Sequence, residues 1–169
     1  MDILKTATDW AKAELFSTPF FILFGIIFMA GSIGFWQLGK SDIAKAYIIP
    51  MLVAGALLLT IGVGLFFTNK SRITQFEMAY QKDASEFIAS EVTRVEATLK
   101  EYSTIVFKTI PILIIAAALS IVFLNGATWR AISITTIAML IVILLIDGTA
   151  YARIDAYHEK LKSAQVEKE

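Results

Sequence analysis

The chain is expected to be an all-α integral membrane protein: four transmembrane helices, a cytosolic amphipathic helical hairpin between helices 2 and 3, and both termini cytoplasmic. Three observations predict this. Of 169 residues, 57% are hydrophobic and only 18% are charged, against about half and about a quarter in soluble domains. The apolar residues are gathered into long uncharged blocks, three of them at or above the ~20 residues that cross a ~30 Å hydrocarbon core as helix; the fourth has sixteen between Arg130 and Asp147 and must run on towards Tyr151 to cross. Between the second and third blocks lies a charge-rich island whose apolar residues recur at helical spacing.

Residues 1–18 read as an amphipathic interfacial helix. Ile3, Leu4, Ala7, Trp10, Ala11 and Leu15 form one face; Lys5, Asp9, Lys12 and Glu14 form the other. Such a helix suits the membrane surface, with Trp10 at headgroup depth. Ser17-Thr18-Pro19 is expected to end it.

Residues 19–69 read as the first transmembrane hairpin. The uncharged run from Leu15 to Gly39 is too long for the core of a signal peptide and is expected to be retained. Gly25, Gly31 and Ser32 thin its surface, and Ala30 and Gly34 have the small-xxx-small spacing that lets helices approach closely. A short polar connection holds Lys40, Asp42 and Lys45. The second span opens with Pro50 in its first turn, where a missing N–H costs little, and Gly55, Gly62 and Gly64 form its thin side. Asn69-Lys70-Ser71 fits a glycosylation sequon, but the expected topology puts it in the cytosol.

Residues 70–108 form the cytosolic arm. Ile73, Phe76, Tyr80, Phe87, Ile88, Val92, Val95, Leu99, Tyr102 and Val106 keep a three-and-four rhythm under a charged surface, without Gly or Pro. One straight helix of this length would reach roughly 55 Å and could not return to the membrane. A hairpin is therefore expected, broken at Lys82–Glu86, where Asp83 and Glu86 have the spacing of a capping box.

Residues 109–151 read as the second transmembrane hairpin. Pro111 should kink its first helix or mark a fresh start. Asn125-Gly126 supplies the turn and Trp129 an interfacial ring. Residues 152–169 read as a polar cytosolic tail, helical for a few turns after Arg153, with His158 as a solvated histidine. The order of elements before and after the break also resembles a parallel internal repeat: amphipathic helix, proline, two spans, then Arg-Ile and Tyr.

Orientation follows from the basic residues. Lys5, Lys12, Lys70, Arg72, Lys82, Arg94, Lys100, Lys108, Arg153, Lys160, Lys162 and Lys168 fall on one side; Lys40, Lys45 and Arg130 fall on the other. The positive-inside rule assigns the larger set to the cytoplasm, so the protein is expected in the cell inner (plasma) membrane, N-in and C-in.

Asp147 is the one ionisable side chain within an apolar span, and intramembrane acids are functional candidates. At a helix C-terminus it should seek a cation; Lys108 is the first candidate and Arg72 the second, making an intramembrane ion pair or a gate. Without cysteine there is no thiolate chemistry, disulfide or cysteine-bound metal. No phosphate loop, nucleophile–base pair or metal cluster is evident, so neither catalytic residues nor a cofactor or metal is expected. With fifteen basic and fifteen acidic residues, no nucleic-acid partner is expected either.

Two classes of function remain. The first is a non-catalytic assembly or accessory subunit, partnered with the bilayer and with its own copies or a larger membrane complex, using the arm to dock. The second is a homo-oligomeric ion channel or small-solute transporter gated near the cytoplasmic face. Its polar material would be Ser120, Thr135, Thr136 and Asp147, with Thr60, Asn69 and Asn125.

Overall fold

The computed structural model describes residues 2–166 and is built from helices. Helix α1 spans Ile3–Leu38, α2 spans Asp42–Ala46, and α3 spans Ile48–Lys82. Helix α4 spans Ala84–Glu101, a π-helical segment covers Tyr102–Thr109, α5 spans Ile110–Phe123 and α6 spans Ala127–Val166. Four stretches are long and apolar enough to cross a membrane, which suggests a multi-pass membrane protein. Lys168, counted above among the basic residues, lies outside the described residues, as do positions 167 and 169 of the expected tail.

The helices outlast the bilayer. At 1.5 Å per residue, α1 and α3 each run to about 50 Å and α6 to about 60 Å, against a hydrocarbon core of about 30 Å. Their surplus turns carry the charged residues. These polar ends do not stand apart: Ile3, Ala7, Trp10 and Ala11 of α1, Phe76 of α3, Phe87, Ile88 and Val95 of α4, and Ile154, Tyr157, Leu161 and Ala164 of α6 form one buried cluster. A second, smaller cluster joins Phe21 and Phe28 of α1, Ala54 and Leu58 of α3, and Val142 of α6 within the apolar blocks.

This arrangement corrects the reading of residues 1–18. They form no separate interfacial helix, because α1 runs unbroken through Pro19. The Ser17 and Thr18 hydroxyls donate to the carbonyls of Ala13 and Glu14, at 3.2 and 2.9 Å. These are bonds back to the preceding turn, of the kind that bend a helix slightly; they do not reach the Leu15 carbonyl, the one that Pro19 leaves without its donor. The face read as lipid-seeking is instead buried against protein, with Ala7 and Ala11 fully enclosed.

The tail is helical, as expected, but not solvated. Residues 152–166 continue α6 and pack inward, and His158 is buried, 7% exposed, rather than solvated. Its apolar neighbours Ile154, Tyr157 and Leu161 follow the same helical stripe.

The break at Asp83 falls where the spacing placed it. Asp83 is extended, and its Oδ1 accepts from the N–H groups of Ser85 and Glu86 at 2.8 and 2.9 Å. Phe87 beyond the break lies edge-on to Phe76 and Tyr80 before it, with centroids 5.5 and 5.7 Å apart. Pro111 sits in the first turn of α5, directly after the π segment. Proline cannot donate to the carbonyl four residues back and its ring crowds that carbonyl. The wider π turns, in which the Ile110 N–H donates to the Ile105 carbonyl, are where that conflict is absorbed. At the other turn, Gly126 has φ +126°, which an L side chain adopts only with strain.

The closest helix pair is α1 with α3, and its glycines are not all equivalent. A Cβ on Gly55 would lie 2.8 Å from the Gly25 carbonyl oxygen and 3.0 Å from the Met29 nitrogen; one on Gly62 would lie 3.0 Å from the Ile22 nitrogen. The backbones touch there because no side chain intervenes. Ser32 adds a hydrogen bond, donating to the Ile48 carbonyl at 2.7 Å. The expected packing role of Ala30, Gly34 and Gly64 is not met within the chain: Ala30 is exposed, and a Cβ on Gly34 or Gly64 meets nothing within 4 Å. The two halves also differ in packing, since α5 touches only α6 and the π segment while α1 contacts α2, α3 and α6.

A matched pair of substitutions separates these glycines. Gly34→Ala should leave thermal stability in detergent unchanged or raised by up to about 1 kcal/mol, the helix-propensity gain. Gly55→Ala should lower it by about 1–3 kcal/mol through overpacking against backbone. Equal effects would contradict the α1–α3 seam.

Candidate functional site

Where the apolar spans give way to the polar ends, four helices bring their charged and aromatic residues together. Trp10 of α1 lies at the centre. Its ring stacks on Tyr157 of α6, with centroids 5.1 Å apart and planes 9° from parallel. The guanidinium carbons of Arg94 and Arg72 lie 4.8 and 5.7 Å from its ring centroid. Arginine over indole is a favourable cation–π geometry, strongest where water is excluded. The Trp10 Nε1–H is buried without an acceptor, so the ring is held by its faces and not by its donor.

Glu91 of α4 is the buried acid of this cluster, 5% exposed. It accepts two hydrogen bonds from Arg94, at 2.8 and 2.7 Å, and a third from the Tyr157 hydroxyl at 3.0 Å. A buried carboxylate is costly unless its charge and lone pairs are met, and here they are. Burial, followed by the Glu91 charge, pushes the Tyr157 hydroxyl pKa up, which keeps it a donor. Glu14 of α1 pairs with Arg153 of α6 at 2.8 Å. Nearer the end of α6, His158 faces Glu96 at 3.3 Å, and Lys162 meets the same carboxylate at 3.3 Å. Hydrogen bonds from His158 and Lys162 hold the exposed Glu96 carboxyl below its ordinary pKa.

Beside this cluster is a half-open cavity of about 390 Å³. Its polar end is lined by Glu14, Asn69, Arg72, Arg94 and Glu101, and its apolar end by Phe21, Ile61, Leu65, Ile105 and Ile146; Asp147 lies on the α6 wall. A second groove, of about 540 Å³, runs between α3 and α6 near their other ends and is lined by Ile49, Val53, Leu57, Ile132 and Thr136 among others.

The sequence-derived candidates distribute unevenly over this geometry. Asp147 and Arg72 line the same cavity, yet among the described residues Asp147 forms no ion pair with either Lys108 or Arg72. Lys108 is exposed and outside the cavity. It lies in the π segment, at the start of the third apolar block. Arg72 instead donates to the Asn69 side-chain oxygen at 2.9 Å. Asn69, the sequon asparagine, is thereby buried and engaged, 4% exposed. Thr135 is buried and Thr136 lines the second groove, whereas the Ser120 hydroxyl bonds back to the Ala116 carbonyl of its own helix. Within one chain, Ser120 lies on α5 and Thr135 and Thr136 on α6, apart from the cavity that Asp147 lines.

Among the described residues no group of three His, Cys, Asp or Glu side chains is placed to hold a metal ion. The chain is thus, in class, an all-α protein with four candidate membrane spans and a charged, aromatic junction at one end. Comparison with known proteins finds no match among family models, curated proteins or solved structures.

The Glu91 network carries a clear expectation. Glu91→Ala removes the acceptor of both Arg94 and Tyr157 and should cost about 3 kcal/mol of stability, the scale for breaking a buried pair. Tyr157→Phe keeps the Glu91–Arg94 pair and the stacked ring, and should cost about 1 kcal/mol. Thermal or denaturant unfolding in detergent gives both values; equal losses would show that the carboxylate is not the hub.

Proposed function

We propose that this protein is a non-catalytic assembly or accessory subunit of the cell inner membrane. In this reading both termini and the helical hairpin of residues 70–108 face the cytoplasm, and the packed polar ends of the helices serve as a docking head. The observation that carries it is the buried cluster joining α1, α3, α4 and α6 beyond their apolar blocks. A body with its own core is stiff, and its buried carboxylate, Glu91, is met by Arg94 and Tyr157, leaving the outer surface to meet a partner. Helix α5 supports the same reading. It leans on α6 and the π segment alone, and Ile112, Ile115, Val122 and Phe123 are at least 60% exposed. Lipid, another copy of the chain or a larger membrane complex would cover that face.

A homo-oligomeric ion channel or small-solute transporter gated near the cytoplasmic face is the second reading. It is favoured by one feature, the cavity that holds Arg72 and Asp147. The scattered positions of Ser120, Thr135 and Thr136 weigh against it.

Purification of the full chain in mild detergent, with mass measurement, separates the two. The assembly reading expects a stoichiometric foreign partner, or a homo-oligomer that passes no ion or solute when reconstituted. Flux through the reconstituted protein that changes on Asp147→Asn would overturn it in favour of the transporter.

A further inference from the structure

The half-open cavity at the junction has a polar end and an apolar end, and the sequence fixes their order. Along α3, Ile61 and Leu65 precede Asn69 and Arg72; along the α4–π rod, Arg94 and Glu101 precede Ile105. Each wall therefore passes from charged to greasy over about two or three turns. In a membrane-spanning chain that gradient falls where lipid phosphate meets acyl chain.

The charges at the polar end do not cancel uniformly. Arg94 is committed to Glu91, and Arg153 to Glu14. Among the described residues Arg72 makes no salt bridge: its guanidinium donates to the neutral Asn69 oxygen and faces the Trp10 ring at 5.7 Å, which leaves N–H donors not taken up by a carboxylate. A planar guanidinium with spare N–H groups suits a phosphate. At the apolar end, Ile61, Leu65 and Ile105 line the cavity while remaining 37–53% exposed, so that end is open to chains arriving from the lipid side.

We propose that this cavity binds one phosphate-headed membrane amphiphile, a glycerophospholipid, with its phosphate at Arg72 and an acyl chain along Ile61 and Leu65. Asp147 lies six residues before Arg153 on α6, about 9 Å deeper along the helix, where it disfavours a second anionic group and sets how far the headgroup descends. The proposal requires only that the four helices cross a bilayer; it does not depend on the assembly reading, and the mass measurement above can fail without affecting it.

The test uses the purified full chain in detergent, with thermal stabilisation and retention in native mass spectrometry as readouts. Phosphatidylglycerol should stabilise the protein and remain bound one to one. Diacylglycerol, which lacks the phosphate, and inorganic phosphate, which lacks the chain, should do neither. Arg72→Gln should weaken phosphatidylglycerol binding about tenfold or more, while Arg130→Gln, at the exposed start of α6, should not change it. Asp147→Asn should tighten it. Ile61→Trp, which fills the apolar end and leaves every charge in place, should weaken it, and it decides the matter if Arg72→Gln fails to fold. Unchanged affinity in Arg72→Gln or Ile61→Trp would overturn the proposal, as would equal stabilisation by diacylglycerol or by inorganic phosphate alone.

Discussion

One buried carboxylate constrains the whole junction. Glu91 lies where α4 meets α6, and its oxygens are met by Arg94 and by the Tyr157 hydroxyl. Those two partners in turn hold Trp10, one through its guanidinium and the other through a parallel ring. Trp10 thus ties α1 to a salt bridge made by α4 and a hydroxyl made by α6. Arg72 brings in α3 at the same ring. Withdraw the charge at Glu91 and the guanidinium, the phenol and the indole all lose a reason for their positions. Low dielectric makes such a network costly when incomplete and specific when satisfied.

The network exists because the helices are too long for the membrane alone. A span of about 20 residues would end at the interface. Here α1, α3 and α6 carry some 15 to 20 further residues, and an amphipathic helix in water is marginal unless its apolar stripe is buried. Packing the four stripes against each other solves this once for all four helices. The same continuity couples the two regions physically. Since α1 passes through Pro19 without a break, its placement against α3 at Gly25 and Gly55 also fixes the direction in which Trp10 enters the junction.

Much of the fold was legible in the sequence, for reasons that can be given residue by residue. Uncharged runs of span length identify three of the apolar segments directly, and the fourth is identified by continuing its run past Asp147 towards Tyr151. Asp83 was readable because capping is local: side chain, Ser85 and Glu86 lie within one turn. The stripe Ile73, Phe76, Tyr80 and Val92, Val95, Leu99 was readable as a buried face, and all six belong to or pack on the larger cluster. What periodicity cannot supply is the partner. Residues 1–18 have a good amphipathic face, and that face fits lipid or protein equally well; only the presence of α6 and α4 beside it decides. His158 was misjudged for the same cause, since its stripe-mates Tyr157 and Leu161 looked like part of a short polar tail. Among the glycines, composition marks a thin helix but not the phase at which a neighbour crosses, which separates Gly55 and Gly62 from Gly34 and Gly64. Lys108 matches Asp147 in depth along the spans, but depth does not say which way a side chain points, and Lys108 is exposed and outside the cavity. Glu91 and Arg94 gave one weak signal, an acid and a base three apart on one helix, and nothing in the sequence joined Trp10 to them.

The central claim is that the polar ends of α1, α3, α4 and α6 form one cooperative packed body, and hydrogen–deuterium exchange on the full chain in lipid nanodiscs tests it most directly. Amides of residues 3–15 and 154–164 are expected to exchange as slowly as those of 87–99, and Trp10→Ala is expected to speed exchange in all three stretches together. Fast exchange of residues 3–15 in the unaltered protein, or a Trp10→Ala effect confined to that stretch, would contradict it.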